Sequence, residues 1–93
     1  MLAQLPTDLT KLSQKKIDQE ILRAGIIAEL DAINFYEQMA ALTNDKHLKK
    51  ILLDIAKEEK THVGEFQTLL LKKDKEQEKE LAEGKEEVEE LTG

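Results

Sequence analysis

Three residues of this chain have the types and the spacing to hold a metal ion: Glu29, Glu59 and His62. Glu59 and His62 form a Glu-x-x-His pair, so on a helix both side chains project from one face, a turn apart. Counting by alternating fours and threes puts them on an otherwise apolar stripe of Leu48, Leu52, Ile55, Glu59, His62, Phe66 and Leu69. The same count from Leu22 runs through Ile26, Glu29, Ile33, Tyr36 and Ala40, an apolar seam broken by one carboxylate and one phenol. A buried carboxylate needs a counter-charge, because its desolvation is otherwise uncompensated. Lys57 and Lys60 project off the stripe, so no cation of the chain stands on it. A divalent metal ion is the simplest partner, and carboxylates with an imidazole suit iron, manganese or zinc. The alternative is a rotated second helix with Ile51, Ile55 and Leu70 as its buried line. That turns Glu59 to water, but it exposes Leu52 and Phe66 as well.

Two long helices must position these groups. From Ser13 to about Leu42 the pattern is helical, with Thr10 or Ser13 as the N-cap. "TND" at 43–45 is the turn, and Asn44 or Asp45 caps the next helix, which runs from Lys46 to about Lys72. Each helix spans roughly 40–45 Å at about 1.5 Å per residue. A turn this short makes them antiparallel. Glu29 and Glu59 stand at matching distances from the turn, so two carboxylates and a histidine converge at one level of the hairpin. Gly25 and Gly64 lie inside the helices and would permit close helix approach in an oligomer. His47, Glu37, Glu58 and Glu65 fall on the solvent side, and Tyr36 is either a core tyrosine or a group beside the metal.

One lone seam Glu plus one Glu-x-x-His is half the ligand set of the carboxylate-bridged dimetal sites in ferritin-like four-helix bundles. Two copies about a two-fold axis would supply four helices and a whole set. The fold class read from the pattern is therefore all-α: an antiparallel two-helix hairpin that dimerises into a ferritin-like four-helix bundle.

Bulk composition agrees. Ninety-three residues suffice for one small domain, and oligomerisation is a common remedy for the small core of so short a chain. With no cysteine there is no disulfide, thiolate ligand or thiol nucleophile. No apolar run is long enough for a signal peptide core or a membrane span. The net charge of −6 lies wholly in residues 76–90, which hold eight acids and two lysines; residues 1–75 balance at twelve of each sign. With neither a basic stripe nor an aromatic platform, nucleic acid is not the expected partner. Residues 1–12, with the only proline, read as a lead-in, 13–72 as the hairpin, and 73–93 as an acidic tail or linker. That tail either forms a short helix on Leu81, Val88 and Leu91 or stays solvated and disordered, with Gly84 expected to interrupt any helix.

The linked stretches "AELDAINFYEQMAALTND" and "ILLDIAKEEKTHVGEF" resemble the encapsulated ferritins over roughly residues 13–75. The resemblance implies hairpins that pair around a di-iron ferroxidase centre, often with a short C-terminal helix, and five pairs closed into a decameric ring. It matches Glu29, Glu59 and His62 to the metal ligands and Tyr36 to the tyrosine near the centre, all four as catalytic candidates. It implies oxidation of Fe(II) to Fe(III), with zinc, manganese or calcium as other ions the site would take in vitro. It further implies an encapsulin shell protein as partner and a cytoplasmic place inside an encapsulin nanocompartment. Three departures stand out. Acids that flank the first-helix Glu and pass metal inward are represented by Ala28 and Asp31; the aromatic before the Tyr, often Trp, is Phe35; and "EEVEELTG" does not look like an apolar targeting peptide. The last suggests either a piece of a longer fusion to the shell subunit or another mode of targeting. The rival functions are a non-enzymatic helical oligomerisation or metal-binding module and a di-iron peroxidase.

Overall fold

A computed structural model describes residues 13–93; the lead-in at 1–12 and the Thr10 cap lie outside the described residues. Helix α1 runs Gln14–Leu42, α2 Lys46–Lys73 and α3 Lys75–Thr92. Ser13 is the N-cap of α1, its hydroxyl accepting from the Lys16 amide at 3.3 Å. Asp45 is the N-cap of α2: one carboxylate oxygen accepts from the amides of His47 and Leu48 at 2.9 and 3.0 Å. It thereby satisfies two of the donors that a helix start leaves open. The all-α hairpin is therefore as the pattern requires.

The buried line of α1 is Leu22, Ile33 and Ala40, extended one step back to Gln19. On α2 the line differs from the expected stripe. Leu52, Ala56 and Leu70 are buried, whereas Leu48 and Leu69 are about half exposed. The cause is the 3.6-residue period of a straight helix, which drifts from a strict heptad count by about 20° per heptad. The face toward α1 follows Leu52, Ala56, Glu59, Phe66 and Leu70; Leu48, Ile51, Ile55, His62 and Leu69 form the line beside it. Ile51 is 58 % exposed, so the rotated alternative does not hold.

Lys60 Nζ meets Glu37 Oε2 at 3.1 Å and marks one flank of the hairpin. By helical register the opposite flank carries Leu48, Ile51, His62 and Leu69 from α2, with Ile21 and Phe35 from α1. Five of those six are large apolar side chains left exposed. The molecule measures 48 × 43 × 18 Å, so it is a flat layer. A single layer cannot cover both faces of its own helices, and stable domains need a second.

The C-terminal segment is helical rather than disordered, and α3 passes through Gly84 without a break. Glu, Lys, Leu and Ala are strong helix formers, and a single Gly costs only about 1 kcal/mol against them. None of its residues is buried, so the helix is also solvated. Its start is pinned. Asp74 closes α2 and caps α3, accepting from the Gln77 amide at 3.0 Å while Arg23 Nη2 lies 2.6 Å from its other oxygen. The buried Gln19 donates from Nε2 to the Lys73 carbonyl at 2.7 Å. Among the described residues no helix is long and apolar enough to cross a membrane.

Candidate metal centre

The antiparallel register brings Glu29 of α1 level with Glu59 and His62 of α2. One ligand atom from each lies within 4.8 Å of the other two. His62 Nδ1 is 3.3 Å from Glu59 Oε2 and 3.4 Å from Glu29 Oε2. The first contact has hydrogen-bond geometry; the second does not, and Glu29 Oε2 is buried without a hydrogen-bond partner. Both carboxylates are 19 % exposed, and the imidazole is 45 % exposed. The polar cluster thus has a closed side, between the helices, and an open side at His62, on the exposed apolar flank.

A buried carboxylate oxygen without a donor is expensive to maintain. Here one imidazole faces two carboxylates and can give a proton to only one of them through Nδ1. The donor set, two carboxylates and a nitrogen converging on one point, suits a first-row divalent ion. Metal–ligand distances near 2.0–2.2 Å would draw the three atoms together by side-chain rotation and give Glu29 Oε2 its missing partner. The residues present therefore fit a metal ion.

Of the four candidates, Glu29, Glu59 and His62 come together; Tyr36 follows Glu29 by about two turns of α1. Tyr36 is part-buried, its ring 5.8 Å from that of Phe35 and tilted 52° to it. Ala28, Asp31 and Phe35 share an open groove on α1 with Ala32, Asn34 and Gln38. His47, Glu58 and Glu65 are exposed, as expected, and Glu37 is held at the surface by Lys60.

Two features escaped the sequence reading. The first is the clamp at the α2–α3 junction, built from Gln19, Arg23 and Asp74. Its signal was present in part, since one further step back along the α1 seam from Leu22 lands on Gln19. The Asp74 carboxyl is held below its ordinary 3.8, chiefly by the Gln77 backbone amide, against an opposing effect of desolvation, with the Arg23 guanidinium lowering it further. The second is the role of Gly25. A helix-to-helix approach does occur there, but within the hairpin, against the Phe66 ring; a Cβ at Gly64 would meet nothing within 4 Å.

A sequence model of the EncFtn-like family matches residues 4–85. Over 74 residues the chain is 66 % identical to the ferritin-like–encapsulin shell fusion protein of Pyrococcus furiosus, a match covering 80 % of this chain and 21 % of that protein. The chain thus spans about a fifth of that relative's length. The fold superposes on the crystal structure of the encapsulated ferritin domain from Pyrococcus furiosus with a TM-score of 0.86 at 57 % identity, covering 100 % of this chain and 97 % of that one.

Proposed function

The chain belongs to the EncFtn-like family, the encapsulated ferritins, and on that footing we propose that it is a ferroxidase whose di-iron site forms between two copies. The observation that carries this reading is the buried, unpartnered Glu29 oxygen beside Glu59 and His62. That half-set opens through His62 onto an exposed apolar flank. A second hairpin laid on this flank about a two-fold axis buries Ile51, Leu48 and Leu69 and brings a second Glu29, Glu59 and His62 to face the first. The substrate is Fe(II), two ions per pair of chains. Glu59 of each chain would bridge them. Glu29 and His62 then complete each ion's protein ligands.

Carboxylates are hard oxygen donors that favour the ferric over the ferrous state. Two ferrous ions bound side by side would supply two electrons to dioxygen, each becoming ferric, while the dioxygen takes up two protons and leaves as hydrogen peroxide. Tyr36 is assigned a supporting place next to the site. The pairs assemble further, into a decameric ring in this reading. The partner is an encapsulin shell, whose lumen holds the ferric product in a cytoplasmic nanocompartment. The P. furiosus relative, named as a fusion of a ferritin-like part with an encapsulin shell, supports that pairing; α3 and the residues beyond the hairpin would then serve as the connection.

The test is anaerobic addition of Fe(II) to the protein, followed by air, with ferric absorbance, iron content and mass of the assembly read in parallel. Rapid ferric formation with one iron per chain is expected, together with its loss in Glu59→Ala and His62→Ala. Oxidation at the rate of buffer alone would leave a helical module that binds zinc or no metal. Faster turnover with peroxide than with dioxygen would make the protein a peroxidase instead.

A further inference from the structure

Gly25 and Phe66 meet one helical turn from the metal ligands. A Cβ on Gly25 would lie 3.2 Å from both Cδ2 and Cε2 of Phe66 and 3.4 Å from Cγ, tighter than ordinary van der Waals contact. Gly25 precedes Glu29 by four residues, and Phe66 follows His62 by four. Helical side chains lean toward the N-terminus. Glu29 therefore leans toward the turn of Gly25, and the Phe66 ring leans over the turn of His62. The ring packs against α1 at Gly25. His62, whose Nδ1 lies 3.3 and 3.4 Å from the two carboxylates, is one turn before Phe66 on α2.

We propose that Gly25 and Phe66 are a positioning pair for the metal centre: the missing side chain at Gly25 lets the Phe66 ring seat against α1, and the seated ring holds His62 between Glu29 and Glu59. Neither residue touches the metal. A methyl group at position 25 displaces the ring by a few tenths of an ångström from its seat, one turn along α2 from His62. Interiors pack too densely to absorb such a shift without moving a neighbour. The inference rests on the metal-site reading and assigns that site its support.

The test separates ligand geometry from stability, because the two respond in opposite directions. Alanine favours a helix interior over glycine, so Gly25→Ala leaves the melting temperature of the metal-free protein unchanged or higher. Its affinity for cobalt(II), followed by the visible d–d band, falls on the order of tenfold, the low end of what loss of a supporting residue does to a metal site. Gly64→Ala is the control. It makes the same exchange on α2, two residues from His62, where an added Cβ meets nothing within 4 Å, and it binds cobalt(II) like the unaltered chain. Phe66→Leu removes the ring that holds His62 and lowers cobalt(II) affinity in the same direction. Equal cobalt(II) affinity in Gly25→Ala and Gly64→Ala overturns the proposal, as does a Phe66→Leu variant that binds cobalt(II) like the unaltered chain. If the unaltered chain binds cobalt(II) no more tightly than Glu59→Ala, the metal-site reading itself falls and takes this inference with it.

Discussion

Replacing Glu29 by glutamine keeps the shape of the side chain and removes its charge, and the structure sets the size of the effect. The facing ligand atoms of Glu29 and Glu59 lie within 4.8 Å; two full negative charges at that distance repel by about 3.5 kcal/mol at an effective permittivity near 20. His62, 3.3–3.4 Å from both, offsets part of this when it is protonated. A net relief of about 1–2 kcal/mol is left for the metal-free variant. The glutamine amide also brings a donor next to the Glu59 carboxylate, whereas Glu29 Oε2 has no hydrogen-bond partner. At about 4–8 °C per kcal/mol for a domain of this size, Glu29→Gln should melt several degrees above the unaltered chain in chelator. With metal the order reverses. A ligand at a hundred times its Kd adds about 2.7 kcal/mol to a protein that binds it only when folded. The unaltered chain gains that stabilisation from zinc, and the variant, short of one carboxylate ligand, loses most of it. Thermal melts of both proteins at one fixed protein concentration, with chelator and with zinc, decide the matter. A variant that melts below the unaltered chain in chelator refutes the account of Glu29 as a strained, unpartnered charge. A variant that keeps the full zinc shift refutes its place among the ligands.

Ile51→Glu puts a charge on the open apolar flank, where Ile51 is 58 % exposed in the single hairpin; if two hairpins pair on that flank as proposed, native mass spectrometry should find the unaltered chain as a dimer or larger and the variant as a monomer. Gln19→Leu removes the amide that donates to the Lys73 carbonyl at 2.7 Å, and denaturant unfolding should show a loss of about 0.5–1.5 kcal/mol, the net worth of one such hydrogen bond. Asp74→Asn tests the α3 clamp through pH. The Asp74 carboxyl titrates below 3.8 in the folded chain, so its contribution is fully present above the unfolded value and is lost as acid takes the pH down through the folded one. Helicity of α3, read by amide exchange, should therefore hold at mildly acidic pH and fall further down in the unaltered chain, while the Asn variant lacks that step.

The hairpin itself was legible in the sequence. Periodicity, the "TND" turn and the polar breaks at Glu29, Glu59 and His62 require two antiparallel helices with three candidate ligands at one level, and those constraints are local or follow from counting along two rigid rods. Which of two adjacent lines on α2 faces α1 was not legible. A heptad count and a 3.6-residue count diverge over a long helix, and only the packed pair selects Ala56 and Leu70 over Leu48 and Leu69. The start of α3 rests on a cap whose partners, Arg23 and the Gln77 amide, come from both sides of the junction. The buried Gln19 and the seat of Phe66 on Gly25 join residues 54 and 41 positions apart in the chain. Residue type and spacing determined that a metal centre could form. The mutual approach of the two helices decided how its ligands are oriented, because contact distances of a few tenths of an ångström are properties of the packed helices and are not encoded in either helix alone.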